Sequence, residues 1–183
     1  MAENTLTRTD RQTSAAETLL LFHIEQGDEV VLQVKGWSMG LVLAPYRDVL
    51  VRPLGRPPFF GDVVLLRNDS HFMVHRVIGR VSGGQGLTVT KGDNCRQSDP
   101  PVARTDIVGL VVGIKEPEGL CIPWQWRYPL SCLIALLSYM EARGVRFATD
   151  LLQRLLYLSW GAQGKWNRFK RRRLHKEDEG DIR

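Results

Sequence analysis

Between Asp28 and residue 116 the chain is cut into short apolar runs by Gly, Pro, Asn and Asp, and the runs alternate rather than spiral. In "EVVLQVKG" the residues Val30, Leu32 and Val34 fall on one face, the period of two that belongs to a strand. Further strand-like runs are "DVLVRP" (48–53), "GDVVLLR" (61–67), "FMVHRVIGR" (72–80), "LTVTKG" (87–92) and "DIVGLVVGI" (106–114). Gly, Pro, Asn and Asp separate the runs, as in "RPLGRPPFFGD" and "SGGQG", which carry turn chemistry. Six short strands so bounded predict a mainly β fold, a small multi-stranded β domain covering 28–116.

The flanks read differently. Residues 1–13 are expected to be disordered. A short helix is predicted over 14–27, capped by Thr13 or Ser14, with Ala15, Leu19, Phe22 and His23 near helical spacing and Gly27 as its stop. Beyond Pro117 a helical extension is predicted over 117–164, a C-terminal hairpin of two segments. The first holds the apolar run Leu130 to Met140, far shorter than a bilayer crossing requires. The second, "ATDLLQRLLYLSWG", carries Leu151, Leu152, Leu155, Leu156 and Leu158 along a broad stripe. Trp124, Trp126, Tyr128, Tyr157, Trp160 and Trp166 flank these segments, and 165–183 is a basic, then acidic tail. Two readings of this region stand open. The hairpin packs on the β domain or on another subunit, or residues 128–173 make a peripheral membrane contact, as aromatics and cations edging short apolar helices can.

The totals exclude several classes. A length of 183 residues with 43% hydrophobic content supports one domain with a real core. The formal net charge of +5 is concentrated in the tail, where no base-reading fold accompanies it, so no nucleic-acid partner is expected. The three cysteines, Cys95, Cys121 and Cys132, form an odd set without CxxC spacing, which is neither a disulfide framework nor a zinc ribbon and leans toward a reducing compartment. The apolar run Leu19 to Ile24 is too short to cross a bilayer and lacks the flanks of a signal peptide. A cytoplasmic location, or one peripheral on a membrane surface, is the expectation.

Chemistry concentrates in "KGWSM" (35–39) and "FMVHRVIGR". A serine is a poor nucleophile until a neighbouring base takes its proton. Ser38, His75 and Asp99 supply a serine, an imidazole and a carboxylate, an order compatible with such a set but not diagnostic of it. On a strand Met73, His75 and Val77 share a face, so the ring sits among apolar groups that favour its neutral, proton-accepting form. His71 and His75 with Cys95 do not make a metal site, because i,i+4 residues converge on a helix and this run is a strand. No metal and no cofactor are expected.

In order, "GWSM", "GDVVLLR", "VHRVIG", "TKGDN" and "DIVGLVVG" resemble the successive boxes of the type I signal peptidase superfamily, the S24/S26 serine peptidases, over about residues 30–115. The resemblance implies a signal-peptidase/LexA-like β domain. One branch of that superfamily has lysine as its base; "VHRV" resembles the histidine branch of endoplasmic-reticulum and archaeal type. Carried over by position, Ser38 is implied as nucleophile and His75 as general base. Asp99, six residues after the aspartate of "GDN", is implied as the acid that orients His75, with Asp93 as the alternative. The backbone N–H groups of Ser38 and Trp37 are the candidate oxyanion donors, and Gly36 is expected to permit a tight turn. The implied activity is endoproteolysis of an extended segment of a precursor or leader peptide.

Two features depart from the pattern. The usual "SMxP" is replaced by "SMGLVLAPYRD", with its proline at Pro45, and the membrane anchor that precedes the domain in most signal peptidases is not seen. The first alters the loop that shapes the cleft; the second favours a dedicated precursor over bulk secretory substrates. A catalytically silent peptide-binding member of the same fold is the alternative. A self-cleaving LexA-like regulator is disfavoured, since no Ala-Gly scissile pair is present and the short N-terminal stretch cannot hold a DNA-binding domain.

Overall fold

A computed structural model describes residues 8–40, 43, 47–68, 71–81, 86–115, 121–123, 128–145, 148, 150–151 and 154. In chain order these form helix α1 (Arg8–Glu25), strands β1 (Val30–Val34), β2 (Arg47–Pro53), β3 (Val63–Asn68), β4 (His71–Arg80) and β5 (Thr88–Lys91), a 3-10 turn (Arg104–Asp106), β6 (Ile107–Lys115), β7 (Cys121–Pro123) and helix α2 (Tyr128–Ala142). Among the described residues the strands make one antiparallel sheet in the order β1-β2-β6-β3-β4-β5, with β7 added beside the far end of β6. The protein is mainly β. Each of the six strand-like runs is a strand, displaced by no more than a few residues at its ends. The seventh, β7, falls where a helical extension was expected, because three residues ending in Pro123 offer no alternation to detect.

Alternation gives the sheet two apolar faces. Val49, Val51, Val63, Leu65, Val111 and Ile114 point to one side, where Leu20 and Ile24 of α1 and Ile134 and Leu137 of α2 cover them. Val64, Leu66, Val77, Ile107 and Leu110 point to the other, with Met73, Leu54 and Val102 around them. Residues so fully enclosed each stabilise the fold by about 1.5–3 kcal/mol.

Helix α1 corrects two expectations. It begins at Arg8, ahead of the Thr13 or Ser14 cap, since Arg8, Asp10, Arg11 and Gln12 contain no helix breaker and the turn can propagate back through them. Its buried stripe is Leu20 and Ile24, whereas Leu19, Phe22 and His23 are exposed. Gly27 does end it: at φ 93° it takes the left-handed conformation, and the Asp28 N–H reaches back to the His23 carbonyl (3.0 Å).

Helix α2, the first member of the expected hairpin, packs on the β domain rather than standing apart from it. Polar anchors reinforce its apolar seam. Arg76 of β4 is fully buried and binds Asp93 through two contacts, Nε to Oδ1 (2.8 Å) and Nη2 to Oδ2 (2.7 Å). Its remaining Nη1 donates to the Gly61 carbonyl (3.1 Å) and to Ser131 of α2, whose hydroxyl also donates to that carbonyl (2.7 Å). Nearby, Lys91 of β5 pairs with Glu141 of α2 (2.8 Å). Among the described residues no helix is long and apolar enough to cross a membrane. The second hairpin segment, the aromatic residues beside it and the basic-then-acidic tail lie largely or wholly outside the described residues.

Removing one member of a fully buried ion pair strands its partner's charge. Asp93→Asn is therefore expected to lower the unfolding free energy by about 3–5 kcal/mol. Glu29→Gln, which breaks the surface Arg52–Glu29 pair whose side chains are 60% and 39% exposed, is expected to cost about 1 kcal/mol or less. Urea denaturation of the two variants beside the wild type checks both values.

Candidate active site

Ser38 stands on a turn that leaves the edge strand β1. Within it Trp37 points outward and is 62% exposed, while Met39 is fully buried in the helix-covered core. The serine is therefore held between a solvent-facing and a core-facing neighbour. The turn closes with the Gly40 N–H donating to the Trp37 carbonyl (2.9 Å), and Gly40 adopts φ 53°. Gly36 was expected to permit this turn, but it has open space where a Cβ would lie and its φ is outside the left-handed range. The glycine requirement falls on Gly40.

His75 lies in β4 opposite Val64, on the face shared with Met73 and Val77, and its side chain is 7% exposed. Its Nδ1 meets Asp99 Oδ2 at 2.7 Å. Asp93, the alternative acid, is instead held by Arg76. Because Arg76 follows His75 along a strand, the two side chains point to opposite faces, and each takes a different carboxylate of the same loop. The Asp99–His75 bond orients the ring and leaves Nε2 as the nitrogen free to accept a proton from a substrate or a nucleophile.

Ser38 reaches this neighbourhood through Gly92. The β4–β5 register pairs Arg76, which follows His75, with Lys91, which precedes Gly92. A Cβ at Gly92 would lie 2.6 Å from the Ser38 carbonyl oxygen, 2.8 Å from Cys95 Sγ and 3.0 Å from Ser38 Cβ. Only a residue without a side chain allows the serine turn to cross here. The Asn94 N–H fixes the crossing by donating to the Ser38 carbonyl (2.7 Å). Among the described residues no hydrogen bond joins the Ser38 hydroxyl to His75. Among the described residues no hydrogen bond is donated by the backbone N–H of Ser38 or Trp37.

Two polar neighbours of the site were not recognised as such from the sequence. Thr90, buried on β5, donates its hydroxyl to Asp99 Oδ2 (2.7 Å). It lies opposite Val77, two residues along β4 from His75 and on the same face, but that register is invisible without the pairing. Cys95 is the second; among the described residues no three His, Cys, Asp or Glu side chains gather to hold a metal. Burial raises the Cys95 thiol above its ordinary value, and the negative charge of Asp99 adds to the effect. The sulfur is therefore protonated at neutral pH.

Two outcomes follow from this geometry. Gly92→Ala must push the serine turn aside, so reaction of Ser38 with a fluorophosphonate is expected to slow by roughly 10²-fold while the far-ultraviolet circular dichroism is retained. Iodoacetamide is expected to alkylate Cys95 more slowly at pH 7 than it does glutathione. The rate should still be climbing at a pH where glutathione has levelled off, as peptide mapping across a pH series would record. Comparison of the chain with family models, with curated proteins and with solved structures finds no match.

Proposed function

We propose that the chain is a serine endopeptidase of the signal peptidase type, cleaving an extended segment of a precursor or leader peptide. The observation that carries this reading is the His75–Asp99 bond, formed on the wall of the sheet where the Ser38 turn crosses Gly92. Ser38 Oγ attacks the scissile carbonyl and passes its proton to His75 Nε2, while Asp99 stabilises the imidazolium through Nδ1. The Ser38 and Trp37 N–H groups face the oxyanion of the tetrahedral intermediate. Collapse expels the new amine, protonated by His75, and leaves an acyl ester on Ser38. Water, activated by the same ring, then releases the acid. β1 pairs with β2 along one side, and its other side, leading directly into Lys35–Ser38, suits an extended peptide added as a further strand. Leu133 and Leu136, exposed on the outer side of α2, suit peripheral contact with a membrane that presents the precursor.

A second reading draws on the missing Ser38–His75 hydrogen bond: a silent member of the fold that binds the peptide without cutting it. A fluorophosphonate probe separates the two. Under the peptidase reading Ser38→Ala and His75→Ala lose labelling, and Asp99→Asn slows it by on the order of 10³–10⁴. Equal labelling of wild type and Ser38→Ala would overturn the assignment; peptide binding without any labelling would favour the silent module.

A further inference from the structure

We propose that Thr90 is a positioning residue for the Asp99 carboxylate, clamping it against the His75 ring. The inference rests on the peptidase reading for its catalytic meaning, but the clamp itself rests on geometry. Asp99 belongs to the irregular stretch between β5 and β6, where its neighbours Ser98 and Pro100 are exposed. A carboxylate on such a stretch would ordinarily sample several rotamers. Here Thr90 holds it at two points: the Asp99 N–H donates to the Thr90 carbonyl (2.8 Å), and the Thr90 hydroxyl donates to Asp99 Oδ2 (2.7 Å). That oxygen is the same one that meets His75 Nδ1.

The surrounding backbone supports the hold. Thr88 and Val102 exchange a reciprocal pair of backbone hydrogen bonds at 2.9 Å, which lashes the returning chain alongside β5. Pro100 biases Asp99 toward extended backbone, compatible with that edge pairing. The backbone contacts thus fix where the Asp99 Cα lies, and the threonine hydroxyl selects the rotamer. Thr90 is itself 0% exposed, and as a β-branched residue it has a restricted χ1, so its hydroxyl is aimed rather than roaming. When His75 takes up a proton, the carboxylate is already aligned with the charge that forms, and little reorganisation accompanies the step.

The test compares Thr90→Val, which keeps the shape and removes the hydroxyl, with Thr90→Ser, which keeps the hydroxyl. Two readouts are used on the full chain: saturation kinetics of fluorophosphonate labelling, and the downfield proton resonance of His75 Nδ1–H, assigned by its loss in His75→Ala. For Thr90→Val the maximal labelling rate is expected to fall about tenfold, with the half-saturating probe concentration changed less than about twofold. The Nδ1–H resonance should shift or broaden, and Thr90→Ser should restore both. Should Thr90→Val not fold, Thr90→Ala serves in the same comparison. Wild-type labelling kinetics and an unchanged resonance in the hydroxyl-free variant overturn the proposal. A wild type that takes no label, with the resonance still dependent on the Thr90 hydroxyl, upholds the clamp and brings down the peptidase reading alone.

Discussion

The buried Arg76–Asp93 pair is the constraint on which the rest of this structure hangs. Arg76 could not remain in the interior without a carboxylate and further acceptors, and it finds them in Asp93, the Gly61 carbonyl and Ser131. In meeting that need it ties four separate pieces together: strand β4, the turn before β3, the loop after β5, and helix α2. Its immediate neighbour is His75. Since adjacent residues of a strand face opposite ways, anchoring Arg76 on the helix-covered side presents His75 to the other side, in a ring position that cannot drift. The loop pinned at Asp93 continues to Asp99, which then meets the histidine.

The serine enters by a second constraint. β1 and β5 are the outer strands of the sheet path, yet the turn after β1 and the loop after β5 meet, with the Asn94 N–H bonded to the Ser38 carbonyl. The sheet therefore curls until segments distant in strand order share one wall. Close approach of two backbones demands a position without a side chain, and Gly92 supplies it. Met39, sunk into the core beside this turn, holds the serine at the crossing. The sulfur of Cys95 lies against the same point, half-buried and with its thiol pushed above the ordinary value by desolvation.

Much of this was legible beforehand, and what was missed has physical causes. Strict alternation exposed β1 and the apolar face around His75, because the two-residue period is a property of extended chain whatever it packs against. Helix α1 was harder: "TLLLFHI" offers more than one apolar stripe, and only contact with the sheet selects Leu20 and Ile24 over Leu19 and Phe22. β7 has too few residues to show a period. Gly36 and Gly40 are equally plausible turn residues on paper; φ 53° at Gly40 comes from the path the chain takes past Asn94.

What the linear order of residues determined by itself was direction: His75 and Arg76 must face opposite ways, a glycine-bounded serine must sit on a turn, and six alternating runs must make a sheet. Those outcomes follow from local backbone geometry, which acts over two or three residues. Local backbone geometry left open which carboxylate meets His75 and which meets Arg76, and the folded chain decided it. Asp93 and Asp99 lie on an irregular loop with no period to order them, and both are chemically fit to meet an imidazole or a guanidinium. The assignment came from long-range burial, since the fully enclosed Arg76 captures the deeper Asp93 and leaves Asp99, tethered by Thr90, to the histidine.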